Sequence, residues 1–404
     1  MTTKNEKLQK LFPEDLYLFS QALTEPEVDV LWDVEAALEK HLRPVITKHT
    51  EKAEFPFEEF YKVTKEVGLL TDERLYEGRD ENDRLLPSQY YNNFLWILLA
   101  RFDTSIATFY GVHAGLGYYS FLLGGSDEQV KKWAPKIQNF ELQTCFALTE
   151  PEHGSDIAGG LSTTARREGD KWILNGEKKW IGGAISADII PVYARDTEDG
   201  KIKCFIVKKG QPGLRVDKIE NKIALRMVQN GHIFLENVEV MEEDRLQKIN
   251  GFRDVARVLY ETRSGVANLA AGLSAGAYRA ALKYVKEREQ FGKKLASFQL
   301  VQEKISRMQA NVITQYAVCT QLAKLQTEGE PDEVRSSIGK MQNSLSMRET
   351  ASLAREVCGG NGIVLEYDVA RFFQDAEAIY TYEGTHEINA LVIGRALTGV
   401  GAFA

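Results

Sequence analysis

Hydrophobic positions change period twice along the chain. Up to about residue 142 they recur at helical spacing: Val28, Leu31, Val34 and Leu38 share one face, and Phe94, Ile97, Leu98 and Phe102 repeat the pattern. The turn Gly124-Gly-Ser-Asp127 precedes a short helix predicted over Glu128 to Ile137, with Ser126 or Asp127 as its N-cap. From about 143 to 247 short runs alternate with turns, among them Leu161–Arg166, Lys171–Leu174, Asp188–Ala194, Lys203–Val207 and His232–Val240. Asn175-Gly176 and Asp199-Gly200 read as hairpin turns, because type I′ turns need positive φ at both central residues. About eight short strands in some 100 residues predict a small sandwich or barrel. After Gly251 the helical period returns. Val255, Val258, Leu259, Val266, Leu269 and Leu273 form one stripe, and Gly265, Gly272 and Gly276 allow close approach of neighbouring helices. A second long helix carries Val301, Ile305, Met308, Val312, Tyr316 and Cys319 before the break at Glu328-Gly-Glu-Pro331. A third runs from about Asp332 to Val357, with Val334, Ile338, Met341 and Leu345 expected inward.

The expected fold is mainly α with a central β domain. An N-terminal helical domain spans 1–142, a small β-sandwich or barrel 143–250, and a C-terminal four-helix bundle 251–404.

Composition narrows the function classes. The chain has 404 residues, 44% of them hydrophobic, so a large core needs no staple. Lys and Arg total 50 against 58 Asp and Glu, a net charge of −8, which argues against a nucleic-acid partner. A local basic pocket for a phosphate-bearing ligand stays open. Cys145, Cys204, Cys319 and Cys358 are scattered, with no CxxC and no HExxH, so no metal is expected and the compartment reads as reducing. The longest apolar run, Phe94 to Ala100, is far short of the ~20 residues of a membrane span. The mixed-charge start Met1-Thr-Thr-Lys-Asn-Glu-Lys7 lacks a signal peptide's apolar stretch, and Gly401-Ala-Phe-Ala404 is not a peroxisomal address. The expectation is a cytoplasmic protein.

Five segments carry candidate chemistry. Cys145 to Asp156 ends a strand at Pro151 and enters a loop with Gly154, Ser155 and Asp156, able to offer backbone N–H groups and a hydroxyl to an anion. Trp180-Ile-Gly-Gly183 sets an indole at a strand end, either as a sheet-edge core residue or as a stacking surface for a flat ligand. In Arg288-Glu-Gln-Phe-Gly292, Arg288 reads as a helix-dipole partner or as a pyrophosphate fork. Glu356-Val-Cys-Gly-Gly-Asn-Gly362 follows a helix as a C-cap would, and neither GxGxxG after a strand nor a P-loop occurs. In Tyr380-Thr-Tyr-Glu-Gly-Thr-His-Glu387, Thr385 is positioned to cap a helix with Ile388, Leu391 and Val392 inward. Glu383 is either a dipole partner or, if buried, a base.

Together and in this order, these segments resemble the acyl-CoA dehydrogenase family over about residues 28 to 399. Tyr380-Thr-Tyr-Glu-Gly-Thr385 and Leu225-Arg-Met-Val-Gln-Asn-Gly231 look most like its branch of glutaryl-CoA dehydrogenases and short-chain acyl-CoA oxidases. The resemblance implies FAD and α,β-dehydrogenation of an acyl-CoA to a trans-2-enoyl-CoA in fatty-acid β-oxidation. A carboxylate removes the α-proton, the flavin accepts the β-hydrogen, and electrons pass to an electron-transfer flavoprotein. An oxidase on the same scaffold, using O2, is the alternative. Glu383 matches the family's base; the position where other members carry it, before Arg263, holds Thr262, with Glu261 adjacent but facing another way. Arg263, Ser155 and Gly384 fall on the substrate side. Phe146, Leu148, Thr149, Gly154, Ser155, Trp180, Ile181 and Gly182 fall on the flavin side. Arg288, Gln290, Phe291, Gln299, Glu356, Gly359 and Gly360 resemble the strip that binds the ADP half of FAD from a neighbouring subunit, and Thr385 and Glu387 the adenine-side contacts. A homotetramer, built as a dimer of dimers, is the family's expectation.

Two departures matter. Gly182 stands where many members have a Thr whose hydroxyl bonds the flavin, as it does in the oxidase relatives. Ala107 stands where the glutaryl enzymes carry an arginine for the distal carboxylate, which would otherwise be buried unpaired. A monocarboxylic acyl-CoA is therefore expected, and Phe109, Tyr110 and His113 hint at a short or medium chain.

Overall fold

The computed structural model describes residues 2–80 and 83–401; Met1 and the Ala402-Phe-Ala404 end lie outside it. The chain divides into two compact units. The first comprises residues 1–107, 223–227 and 263–404, and the second 108–222 and 228–262.

The first unit is helical. Its N-terminal part holds α1 (Lys4–Leu11), α2 (Glu25–His41), α3 (Ile46–Lys52), α4 (Phe57–Glu66) and α5 (Gln89–Phe102). Thr3 and Thr24 begin α1 and α2 as capping boxes with Glu6 and Glu27, which satisfies orphan N–H groups reciprocally. Val28, Leu31, Val34 and Leu38 are buried as their spacing predicts. α5 is buried on all sides from Asn93 to Phe102. Its Arg101 pairs with Glu35 at 2.6 Å, which compensates the buried charge.

The second unit begins within α6 (Thr104–Tyr110) and continues through a π-helical turn (Gly111–Gly117), α7 (Tyr118–Gly124) and α8 (Asp127–Gln138). Ser126 caps α8 in a box with Gln129, which settles the choice between Ser126 and Asp127. After the short α9 (Ile157–Gly160) come β1 (Thr164–Glu168), β2 (Lys171–Ile181), β3 (Ile189–Asp196), β4 (Ile202–Lys208), β5 (Leu214–Lys218) and β6 (Gly231–Met241). They form one six-stranded sheet in the order β4-β3-β1-β2-β6-β5, with β1 parallel to β3 and the other pairs antiparallel. The strand count is thus six rather than eight. The stretch Thr144–Ala147 makes only isolated bridges to β3. Ala165, Trp172, Val192, Phe205 and Ile233, from five different strands, share one buried cluster, so the sheet wraps its own core.

The turn expectations divide. Asp199-Gly200 lies in the loop that joins β3 to β4 as an antiparallel hairpin, but only Gly200 has positive φ, at +69°, so the turn is not the type I′ expected. Asn175-Gly176 is not a hairpin. β2 runs straight through it, and the pairing with β6 shifts register between Leu174 and Gly176. Gly176 has φ +142°, and an added Cβ would lie 2.7 Å from the Thr163 Cα, so glycine serves a bulge and a close approach. The reversal between β1 and β2 falls at Gly169, φ +62°.

α10 (Phe252–Glu287) starts in the second unit and enters the first, where α11 (Gln299–Thr327), α12 (Glu333–Val357), α13 (Asp368–Thr381) and α14 (His386–Thr398) follow. α11 packs on α5 and α12, and α12 on α13 and α14. The α10 glycines allow the expected close packing: a Cβ at Gly265 would lie 2.9 Å from the Trp96 ring, one at Gly272 2.4 Å from the Ile97 carbonyl, and one at Gly276 2.4 Å from the Phe372 ring.

α12 departs from expectation. Ile338 and Leu345 are 44% and 48% exposed and Met341 half-buried, while the inward stripe is Ser336, Ser337, Lys340, Asn343, Ser344 and Met347. The polar stripe can be buried because it finds partners: Asn343 Nδ2 donates to the Ala267 carbonyl at 3.2 Å, and Ser337 Oγ accepts from Arg263 at 2.9 Å.

Candidate active site

In the first unit the Tyr382-Glu-Gly loop joins two helix ends. α13 stops at Thr381, and Thr385 caps α14 by accepting from the Ile388 N–H at 3.3 Å. Asn389 and Ile393 of α14 are buried, while Ile388, Leu391 and Val392 are only half-buried. Glu383 and Gly384 both sit in the left-handed region, at φ +56° and +84°. That conformation strains a non-glycine residue by about 1–3 kcal/mol and must be held by its surroundings.

Glu383 is half-buried as a residue, but its Oε2 is closed off from solvent and has no hydrogen-bond partner among the described residues. Burial pushes the carboxyl up to about 7, against the pull of Arg263 and Lys340. Arg263 is 7% exposed; Nη1 is held by Ser337, Glu333 lies at 3.5 Å, and Nε is unpartnered among the described residues. Lys340 is fully buried on α12, and burial brings its ammonium down to about 8 against the attraction of Glu383. This arrangement provides a proton acceptor of near-neutral pKa with a free oxygen and two fixed cations to balance its ionised form.

In the second unit the segment Phe146–Ser155 passes beside the end of β2. Thr149 accepts from the Lys179 N–H at 2.9 Å. Leu148 is buried, Phe146 and Thr149 are half-buried, and Gly154 and Ser155 are exposed. Trp180 is not a core residue. A register shift between Lys178 and Ile181, with Trp180 at φ +65°, turns the indole outward to 56% exposure while Ile181 stays buried. Gly182 is buried too, and an added Cβ would lie 2.9 Å from Val112 Cγ2. An exposed indole on the strand that pairs with this segment, and an exposed Gly154-Ser155 loop, suit a flat aromatic ligand that carries phosphate.

The pair that holds this segment was missed from the sequence. Lys178 is fully buried and donates to the Leu148 carbonyl at 3.0 Å and to Glu150 Oε1 at 2.8 Å. Glu150 also accepts from the Ser162 N–H and hydroxyl and the Thr163 N–H at 2.6–2.8 Å. Burial alone would raise its carboxyl, but Lys178 and these donors outweigh that and hold it down at about 2. The available signal was alternation from Leu174, which puts Lys178 inside, but a strand lysine usually reads as solvated.

The other predicted cofactor-side positions, except half-buried Thr385, are open surface. Arg288 follows α10, and Phe291 and Gly292, both of positive φ, turn a two-residue hairpin (Glu289–Gln290 with Lys293–Lys294). Phe291 is 93% exposed, and Arg288, Gln290 and Gln299 are exposed as well. Gly359 and Gly360 are exposed, with nothing within 4 Å of an added Cβ. Glu356 pairs with Lys304 at 2.6 Å, and Glu387 is exposed. Thr262 turns its hydroxyl back to the Val258 carbonyl at 2.9 Å and so offers no base. Ala107 is buried. His113 is buried and spends both ring nitrogens on backbone, the Ile137 carbonyl at 2.9 Å and the Thr144 N–H at 3.1 Å, and burial drops it to about 4.

Three models of the acyl-CoA dehydrogenase family match in order: the N-terminal domain at residues 24–141, the middle domain at 145–238 and the C-terminal domain at 250–398. The chain belongs to the acyl-CoA dehydrogenase family. That membership makes it an oxidoreductase. It is 36% identical over 276 residues to the caffeyl-CoA reductase-Etf complex subunit CarC of Acetobacterium woodii, covering 67% of this chain and 73% of that one. It is 30% identical over 378 residues to the glutaryl-CoA dehydrogenase of Desulfococcus multivorans, covering 91% and 95%. Among solved structures, a glutaryl-CoA dehydrogenase from Mycobacterium smegmatis in complex with FADH2 superposes with a TM-score of 0.89 at 30% identity, covering 97% of this chain and 99% of that one. Among the described residues no helix is long and apolar enough to cross a membrane.

Proposed function

We propose that the protein is an FAD-dependent acyl-CoA dehydrogenase that converts a monocarboxylic acyl-CoA to its trans-2-enoyl-CoA, within fatty-acid β-oxidation. The observation that carries the reading is Glu383: a carboxyl whose Oε2 is closed off from solvent and unpartnered among the described residues, held near neutrality by burial against two cations. FAD, when bound, supplies the two-electron acceptor. Phe146, Leu148, Thr149, Gly154, Ser155, Trp180, Ile181 and Gly182 would hold its isoalloxazine and pyrophosphate. Arg288, Gln290, Phe291, Gln299, Glu356, Gly359, Gly360, Thr385 and Glu387 would take the ADP half of the FAD of a second copy, within a homotetramer. The exposure of all of them but half-buried Thr385 in the single chain supports this.

Ionised Glu383 takes the α-proton on Oε2. The Arg263 and Lys340 charges offset the carboxylate's lost hydration; by the family resemblance Arg263 and Gly384 would serve the acyl thioester and Ser155 the CoA phosphates. Ala107 supplies no cation, so a distal carboxylate would find no partner there. Electrons leave to an electron-transfer flavoprotein. The oxidase reading keeps one support, Gly182, whose missing side chain leaves Val112 in the space a threonine would fill.

A panel of butanoyl- to octanoyl-CoA and glutaryl-CoA, added anaerobically, tests the reading. The monocarboxylic thioesters should bleach the flavin, and glutaryl-CoA should not. Slow reoxidation in air supports the dehydrogenase. Fast reoxidation with stoichiometric peroxide would replace it with the oxidase.

A further inference from the structure

Lys340 bonds the Glu383 loop on both sides of Glu383. Lys340 Nζ donates to the Tyr380 carbonyl at 2.7 Å and to the Gly384 carbonyl at 2.7 Å. Tyr380 lies in the last turn of α13, where carbonyls have no intrahelical partner, and Gly384 immediately precedes the α14 cap. One ammonium thus ties both shoulders of the strained Glu383-Gly384 pair. Two of its three N–H bonds are spent on that grip. Asn389 Nδ2 adds bonds to the Gly384 carbonyl at 2.8 Å and the Thr385 carbonyl at 2.9 Å. On the outer side, Tyr380 stacks on His386 at 5.3 Å and carries Arg348 over its ring at 4.4 Å. A buried lysine in a helical bundle is costly, and a methionine of similar length would fill the space without a charge to desolvate.

We propose that Lys340 is the positioning residue of this active site: its ammonium clamps the Tyr380 and Gly384 carbonyls so that the Glu383 carboxyl is held in its productive, left-handed pose. The role rests on Glu383 being the base. The clamp fixes geometry, and its charge separately favours the ionised carboxyl. The groups that face Glu383 are Arg263 from α10 and Lys340 from α12. Glu333 lies beside Arg263, Glu387 acts on Lys340, and His386 adjoins the loop from α14. Removing Lys340 leaves Arg263 as the one cation acting on the carboxyl, and the acid limb then moves up.

The test uses the FAD-loaded protein as wild type, Lys340→Met, Lys340→Gln and Glu383→Gln. Three readouts are taken: kcat and KM, the pH profile of kcat, and amide hydrogen exchange over residues 381–389, which does not depend on turnover. Lys340→Met should lower kcat on the order of 10²-fold with KM little changed. It should speed exchange in the loop and raise the acid limb by about one unit. Lys340→Gln keeps a donor but no charge, so it should restore much of the loop protection while keeping the raised limb. Wild-type loop exchange and an unmoved pH profile in both folded variants, with Glu383→Gln inactive, overturn the clamp and leave the base assignment standing. Full turnover in Glu383→Gln overturns both. If neither Lys340 variant folds, Lys340 is a bundle-stability residue and the proposal fails.

Discussion

Replacing Lys178 with methionine tests how the second unit holds its Phe146–Ser155 segment. The ammonium is fully buried and bonds both the Leu148 carbonyl and Glu150. Methionine conserves much of the volume, so the loss is chiefly electrostatic. Breaking one side of a buried ion pair costs about 3–5 kcal/mol, because the remaining charge is left uncompensated. The three donors from Ser162 and Thr163 still reach Glu150, which places the expected loss at the lower end, about 3 kcal/mol. The orphaned Leu148 carbonyl adds about 1 kcal/mol. The assay is thermal and denaturant unfolding at pH 8 and pH 5, with FAD content measured alongside. In the wild type the Glu150 carboxyl sits near 2, well below its ordinary value, so its contribution is present above about 4.5 and is lost only as pH falls toward 2. In Lys178→Met the same carboxyl rises, so the variant's deficit should shrink at pH 5. Adding Glu150→Gln should recover part of the loss. A single variant within 1 kcal/mol of wild type at pH 8, or an equal deficit at both pH values, would refute the reasoning.

Other predictions follow from single positions. With Glu383 near 7, the kcat/KM profile should have an acid limb centred there and fall about tenfold per pH unit below it; activity flat from pH 5 to 8 contradicts the assignment. Gly272→Ala should destabilise by about 1–2 kcal/mol, because its Cβ meets the Ile97 carbonyl at 2.4 Å and backbone cannot yield, which outweighs the gain in helix propensity. Gly394→Ala, inside α14 with nothing within 4 Å, should stabilise by about 0.5–1 kcal/mol in the same unfolding assay.

Much of the framework was legible because local chemistry determines it. The α2 stripe, the Ser126 cap, the three α10 glycines and the Asp199-Gly200 turn each follow from spacing and backbone preference. Asn175-Gly176 misled because the same dipeptide serves a bulge: its glycine is demanded by Thr163, which is remote in sequence. The α12 stripe misled for a related reason. Periodicity assumes that apolar side chains face inward, yet Ile338 and Leu345 are exposed while Lys340 and Asn343 are buried with partners on distant elements. Partners of that kind leave no local mark. Glu383 could be singled out by its motif, but the enclosure of its Oε2 could not, and Lys340 and Lys178, which hold the Glu383 loop and the Phe146–Ser155 segment, carried no signal beyond being lysines.

The central claim is that Glu383 is the proton acceptor, and anaerobic stopped-flow bleaching of the bound flavin by a saturating acyl-CoA tests it most directly in wild type and Glu383→Gln. The amide conserves shape but cannot take a proton, so at equal FAD content and acyl-CoA binding the bleaching rate should fall by on the order of 10²–10⁴-fold. Bleaching at the wild-type rate in Glu383→Gln would contradict the account.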